Sequence, residues 1–431
     1  MDYKSSWNFA KEAFEGFDSS YLVQFAREHE DKFTNRKELA YCVNYMKPKA
    51  KQFVSYLAQK SIRRNINNTL LKPILKNIDL KNNSIDVFIQ NFAINAKVRG
   101  ANLCIIDMPK QKAANLKEQV ENRMLPYFIE VFPENIHSYK LDKFGYFEWV
   151  VFEFSVDNTE PFKETNIETI YRYYDKTEWR VLDKDKNIIE SGVHNIGRCP
   201  VVAFSESGTF PNVGEFVQIA DIQKRIMNLR SELDEILRGQ TFSLLTYNVE
   251  NADDIKDLNV GVNNVLVYKN QKPEFISPPD APAKVYQDEI KRLEDLIEKV
   301  AHTEVFESSG NESGIAKMYR FQALNSALID FSQRLEDFER NCFDIVCKWL
   351  EIENKIEVSY PMDFNIKDIK TEIETADALF NYNLGKTYEA IKKEQLAFMD
   401  LEGLEDSQKE QIVKEIEELA QVRDNGTNKP E

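Results

Sequence analysis

From Phe321 to Trp349, apolar residues recur in alternating steps of three and four without a miss. They are Phe321, Leu324, Leu328, Phe331, Leu335, Phe338, Cys342, Ile345 and Trp349. A mean spacing of about 3.5 keeps one stripe on one side of an α-helix and rules out a strand, whose side chains alternate every second residue. The stripe predicts one helix of about 35 residues, roughly 50 Å long at ~1.5 Å per residue. That is about three times the usual length in globular domains. Such a rod calls for a partner helix or a neighbouring subunit along its length.

Two shorter seams of the same kind precede it. In Gly214–Arg238 the apolar positions are Ile219, Ile222, Ile226, Leu229, Leu233 and Ile236, with Gly239 as the expected stop. In Ala283–His302 they are Tyr286, Ile290, Leu293, Ile297 and Val300. Between the two lie three short strand candidates, "TFSLLTYNVE", "NNVLVYKN" and "KPEFISPP", closed by Pro278, Pro279 and Pro282. A helix, a small β module and a second helix of similar length therefore follow one another. Such helices can run antiparallel and project the β module from the body.

The N-terminal part reads mostly helical. Lys37–Ile62 is periodic, with a break or kink expected at Pro48. Ser84–Gly100 opens on a Ser-x-Asp cap, closes on glycine and feeds the apolar strand "ANLCIIDMP". From about Leu125 to 205 the chain is aromatic, β-branched and alternating, with a hairpin turn expected at Asp183–Asn187. After the long helix comes an acidic, helical tail ending in "VRDNGTNKPE", expected to be disordered. The whole predicts an α+β chain, mainly helical.

Composition limits what this architecture can do. The 431 residues, 42% hydrophobic, suffice for one large core or several modules. Lys and Arg total 56 against 72 acids, a net charge of −16. An acidic chain is a poor general binder of nucleic acid, because phosphate affinity comes from Lys and Arg. It can still form a surface that nucleic acid merely passes. No run reaches the ~20 apolar residues needed to span a bilayer, and "MDYKSSWNFAKEAFEGF" lacks a basic-then-apolar leader. No membrane role and an intracellular setting are expected. The five scattered cysteines, Cys42, Cys104, Cys199, Cys342 and Cys347, read as buried small hydrophobes in a reducing compartment.

Catalytic and metal signatures are missing from the sequence. "SSGNESGIAKMYRF", Ser308–Phe321, mixes glycines, hydroxyls and a lysine, but its spacing is wrong for a phosphate loop. Gly310 and Gly314 have three residues between them, and Lys317 stands three past the second glycine, followed by Met318. It reads instead as a loop entering a helix. The four histidines, His29, His137, His194 and His302, form no HExxH motif or close pair, and GxSxG, CxxC and GxGxxG do not occur. No catalytic residue, metal site or cofactor is assigned, and no enzyme is expected.

Several ordered stretches resemble the portal protein of tailed bacteriophages. "FAINAKVRGANLCIIDMP" is similar to that family's helix ending in a small residue and glycine, then a strand with Asp and Pro. "FIEVFPENIHSYKLDKFG" resembles its strand, Pro-Glu-Asn and aromatic strand, and "HNIGRCPVVAFSES" its His-x-x-Gly-x-x-Pro strand. "SGIAKMYRFQALNSALIDFSQRLEDF" is similar to its Ser-Gly-x-Ala entry to a long helix, and "SYPMDFNIKDIKTEIETADAL" to a turn before its last helical part. The likeness runs from about residue 84 to 415.

The resemblance implies a homo-oligomeric ring, a dodecamer in the family, around a central channel at a capsid vertex of the virion, assembled in the host cytoplasm. It implies a wing (1–213, helical and then β-rich over 125–205), a first stem helix (214–240) and a β clip (241–280). A second stem helix (281–302), a tunnel loop (303–316), a long helix (317–352) and a C-terminal crown (353–431) follow. The implied function is a conduit for genomic double-stranded DNA in packaging and ejection. The implied partners are the terminase large subunit, a head–tail adaptor and the major capsid or scaffold protein. The tunnel loop would place Glu304, Glu307, Ser308, Ser309, Gly310, Asn311, Glu312, Ser313 and Gly314 at the channel constriction. Clip contacts to partners would come from Tyr247, Asn248, Val267 and Tyr268.

The basic residues Lys224, Arg225, Arg230, Lys291 and Arg292 on the stem helices leave two readings open. They can meet DNA phosphates, or pair at subunit borders with Glu232, Asp234, Asp288 or Glu294. Net charge −16 per subunit would keep DNA from sticking to a channel wall. The rival reading for the whole chain is a cytosolic coiled-coil scaffold or adaptor that dimerises through the long helix.

Overall fold

A computed structural model describes residues 2–66, 71–110, 116–241, 244–246, 274–276, 281–303, 314–364, 369–382, 385–400, 408 and 411–416. The chain forms two compact units, Met1–Phe364 and Asn365–Glu431. About half of the described residues are helical, and every described strand pairing is antiparallel. The fold class is α+β.

The first unit begins with α1 (Tyr3–Glu15), α2 (Glu30–Leu39), α3 (Met46–Leu57), β1 (Arg63–Asn65) and α4 (Leu71–Lys76). Then come α5 (Ile85–Arg99), β2 (Ala101–Asp107), α6 (Leu116–Glu121), β3 (Tyr127–Val131) and β4 (Ile136–Leu141). The β-rich part continues with β5 (Phe147–Asp157), β6 (Ile167–Asp175), β7 (Glu178–Leu182), β8 (Ile188–Val193) and β9 (Val201–Ser205). The remainder is α7 (Val217–Thr241), β10 (Leu244–Thr246), β11 (Glu274–Ile276), α8 (Ala281–Val300), α9 (Gly314–Trp349) and β12 (Glu357–Ser359). The second unit holds α10 (Ile369–Phe380) and α11 (Lys386–Asp400), which pack together, with Lys392 2.8 Å from Glu372.

The body is built around α5 and β2. Ser84 caps α5 by accepting from Val87 N–H at 3.4 Å, and Gly100 ends it in the left-handed region at φ 79°. Strand β2 is the centre of a three-stranded sheet ordered β3-β2-β9, and it is buried on both faces. Cys104 and Ile106 join the helical core, while Leu103 and Ile105 join a second cluster with Phe147, Val150 and Phe152 of the five-stranded meander β4-β5-β6-β7-β8. A period of two with apolar residues on both faces is why "NLCII" reads as an unbroken apolar run. The hairpin turn stands where its residues predict it: Asp183 accepts from the N–H groups of Asp185 and Asn187 at 2.9 and 2.8 Å.

The long helix forms, and its stripe is covered inside the chain itself. Every stripe residue from Phe321 to Ile345 is buried. Phe331 meets Phe53 of α3 at 5.5 Å and Phe204 of β9 at 5.1 Å, and Phe338 stacks on Phe92 of α5 at 4.3 Å. Trp349 ends the helix by donating its indole N–H to Ile106 O at 3.0 Å. The expected partner helices are α3 and α5 of the same chain, with β2 and β9 beside them. Each large apolar side chain buried this way contributes about 1.5–3 kcal/mol.

Four boundaries differ from expectation. The Lys37–Ile62 run is two helices, because the chain straightens over 40–45 and Asn44 accepts from Lys47 N–H at 3.0 Å. Pro48 is the third residue of α3, where its missing N–H has no helical partner to lose, so it kinks nothing. Helix α7 runs through Gly239 to Thr241, and α8 starts at Ala281 with Pro282 in its first turn. At the C-terminal side, β12 pairs with β1 across Arg63–Asn65, so residues 353–364 belong to the body and the second unit starts at Asn365.

Candidate functional site

Helices α7 and α8 lie side by side, and the ladder β10–β11 joins the chain at the end of one and the start of the other, with Leu244 opposite Ile276. Three cross-contacts fix their direction. His302 faces Glu215 at 3.7 Å at one end, and Arg230 meets Glu294 at 3.0 Å further along. Tyr286 donates to Glu232 at 2.7 Å toward the ladder. Rising numbers on α7 meet falling numbers on α8, so the pair is antiparallel. Its buried seam is Ile219, Ile222, Ile226 and Leu229 against Ile290, Leu293 and Ile297.

The root of the pair is fixed by polar side chains buried in α7. Gln223, 1% exposed, accepts from Tyr45 N–H at 2.8 Å and Met46 N–H at 3.0 Å, and donates to Ala13 O at 2.9 Å. It thereby caps α3, whose own N-terminal residue supplies no side-chain cap. Asn228 accepts from Val23 N–H at 2.8 Å and donates to Tyr21 O at 3.2 Å. These amides satisfy backbone groups that would otherwise be stranded in the core.

Around Glu294 a small network forms. Tyr45 Oη lies 2.5 Å from the carboxylate, and Arg230 reaches both Glu294 and Tyr45, the latter at 3.1 Å. Burial, reinforced by the carboxylate it donates to, pushes the Tyr45 phenol up to about 12. One turn on, Glu298 takes Lys49 of α3 and Thr303 Oγ1, the latter at 2.5 Å. Helix α8 then closes on a left-handed residue, His302 at φ 57°. His302 N–H donates to Lys299 O at 3.1 Å and Thr303 N–H to Glu298 O at 2.9 Å, the paired bonds of a Schellman cap. The hydrogen bond from His302 also lowers the Glu215 carboxyl. Thr303, fully buried, is thus a fixed point just past the end of α8.

The five basic residues expected on this pair have different surroundings. Arg230 is held inside the chain by Glu294, one of the acids expected to pair at a subunit border. Lys224 lies over Phe9 and Tyr21 at 5.9 and 5.4 Å, with its stem half-buried. Arg292 makes two bonds to Glu289, at 2.7 and 2.8 Å, on the exposed surface. Arg225 and Lys291 are exposed. Tyr247, Asn248, Val267, Tyr268, Glu304, Glu307, Ser308, Ser309, Gly310, Asn311, Glu312 and Ser313 lie outside the described residues. Gly314 is the first residue of α9. Sequence reading missed Tyr45, Lys49, Gln223, Asn228 and Glu298. Their only signal is a polar residue within or beside an apolar seam, and it names no partner.

Behind the pair, two glycines set the geometry. Gly214, just before α7, donates its N–H to Arg99 O at 3.1 Å, directly against Gly100. A Cβ on Gly100 would stand 1.9 Å from Gly214 N, so the helix α5 terminus and the entry to α7 touch through bare backbone. Arg99 itself is buried and bonded to Glu134 at 2.7 and 2.8 Å. Lys97 is 2% exposed, paired with Glu206 and ringed by Phe53, Phe216 and Phe331 at 4.4, 4.9 and 5.7 Å.

Among the described residues, no group of three or more His, Cys, Asp or Glu is placed to hold a metal ion, and no helix is long and apolar enough to cross a membrane. All five cysteines are free thiols, four of them buried. No protein-family model and no curated protein matches this chain.

Proposed function

We propose that this chain is the subunit of a phage-type portal: a non-enzymatic ring at a capsid vertex through which double-stranded genomic DNA passes. In this reading α7 and α8 are the stem, the β10–β11 segment is the base of the clip, and the chain after Thr303 lines the channel. The terminase large subunit and a head–tail adaptor dock in turn on the clip, and capsid or scaffold protein surrounds the wing. The observation that carries the reading is the antiparallel pair of 25- and 20-residue helices. It is rooted in an α+β body and leads at its other end into a β ladder. Projecting a module this way suits a protein that reaches partners beyond a shell. The ordered sequence resemblance supports the same assignment.

The coiled-coil scaffold reading has less to stand on. Its dimerisation stripe on α9 is already covered by α3, α5 and β9. Electron microscopy of the purified full-length chain tests the proposal. Closed rings with a central hole are expected; monomers or open filaments under every assembly condition would reject it.

A further inference from the structure

His194 stands where the meander, the three-stranded sheet and the end of α9 meet. It is the first residue after β8, and residues 194–200 carry the chain from the meander into β9. Its N–H donates to Thr177 O at 2.7 Å in the turn between β6 and β7. Its ring lies 5.9 Å from that of Trp349, whose indole N–H holds Ile106 O of β2 at 3.0 Å. Further along the segment, Arg198 bonds Asp344 of α9 at 3.1 Å. His194 is 4% exposed, and neither ring nitrogen makes a hydrogen bond. The Asp175 carbonyl lies beside the ring, short of hydrogen-bond geometry.

A protonated ring here would carry two N–H donors and need two acceptors. The carboxylates that face it are Asp175 at the end of β6 and Asp107 at the end of β2. Both are committed elsewhere. Asp175 accepts from Thr177 N–H at 2.6 Å, Glu178 N–H at 2.8 Å and Tyr173 Oη at 2.8 Å. Asp107 accepts from Met108 N–H at 2.8 Å and faces Arg172 and Lys110. On α9, Asp344 is taken by Arg198 and, at 3.0 Å, by Lys348, and Lys176 on the β6–β7 turn is exposed. Burial therefore favours the neutral ring, and the two aspartates oppose it only in part.

We propose that His194 is an acid-sensitive latch: the neutral ring holds the segment leaving the meander against the end of α9, and protonation releases that segment while the α5–β2–α9 core stays folded. Turning Asp175 toward the ring would break the turn it organises, so water is the acceptor that remains, and reaching it opens the junction. The surroundings make a local opening the easier response. Strands β7 and β8 are half-buried to exposed throughout, whereas β2 and the α9 stripe from Phe321 to Ile345 are buried. The sign follows from linkage: the opened segment binds the proton more readily, so the latch is closed above pH ~6.5 and loosens as pH falls below it. The device does not depend on the ring reading.

Hydrogen–deuterium exchange of the full-length chain, read by mass spectrometry at pH 7.5, 6.5 and 5.5, tests it. Rates are corrected for the intrinsic pH dependence of amide exchange. Peptides covering 175–199 are expected to lose protection several-fold at pH 5.5, with about tenfold as the ceiling set by the ordinary histidine value of 6.5. Peptides from α5 and from the middle of α9 should not change. His194→Phe keeps a ring against Trp349 and should remove the pH response, and His194→Gln, uncharged and smaller, should do the same should the first variant misfold. Protection at 175–199 that is independent of pH in the wild type, a loss spread evenly over the chain, or an equal loss in both folded variants would overturn the latch.

Discussion

Arg230 of α7 and Glu294 of α8 lie 3.0 Å apart, and Tyr45 from the N-terminal region bonds to both. Arg230 thus ties the two helices to each other and to the N-terminal region. Arg230→Ala is expected to lower stability by about 1 kcal/mol, because the pair is partly solvated. On the portal reading, it should leave the salt dependence of any DNA binding unchanged. Urea unfolding and a filter-binding salt titration read the two effects separately.

Lys97 is a buried cation ringed by aromatic side chains. Lys97→Met keeps the bulk against Phe53, Phe216 and Phe331 but leaves Glu206 without its partner, and one Glu206 oxygen already lacks a hydrogen bond. A loss of about 3 kcal/mol is expected from the stranded carboxylate. Adding Glu206→Gln should recover part of it. A double-mutant cycle from denaturation midpoints gives the coupling; simple additivity would contradict the pairing.

The contact of Gly100 with Gly214 admits no side chain. Gly100→Ala places a Cβ within 1.9 Å of Gly214 N at φ 79°, so backbone has to move and a loss above about 3 kcal/mol is expected. Gly197→Ala is the control. It has a similar φ of 73° with nothing within 4 Å, and should lose only about 1 kcal/mol of conformational strain. Thermal melts of the two variants compare them directly.

His194 sits 4% exposed beside Trp349, and neither ring nitrogen has a hydrogen-bond partner among the described residues. Burial lowers its pKa below the ordinary 6.5, partly opposed by Asp175 and Asp107. A depressed histidine binds its proton more readily in the unfolded chain. Stability is therefore unaffected above pH ~6.5 and falls as pH drops from there toward the folded value. His194→Phe should flatten that part of the profile. Denaturation midpoints between pH 7.5 and 5.5 measure it, and an unchanged slope in the variant would assign the acid sensitivity to other groups.

Thr303 is locked by Glu298, and Gly314 starts α9. On the portal reading, deleting 308–313 should leave assembly intact while reducing the amount of DNA packaged or retained in particles. Rings counted by microscopy and DNA per particle separate the two. Loss of the ring itself would give the segment a structural role.

Local rules were enough for local features. The stripe from Phe321 to Trp349 determined a helix and its buried face, Ser84 and Gly100 determined the ends of α5, and Asp183–Asn187 determined a hairpin turn. Each depends on neighbours within a few residues, where backbone geometry and side-chain period decide. Tertiary structure decided what covers each face. The α9 stripe meets Phe53, Phe92 and Phe204, from three distant parts of the chain, and a spacing pattern carries no address for its partner. The same holds for Arg230, which the fold brings to Glu294 and Tyr45, partners that no spacing in the sequence names. It holds for Gly239 as well, a terminator by propensity: the roughly 1 kcal/mol cost of a helical glycine is small against the packing of the α7–α8 pair.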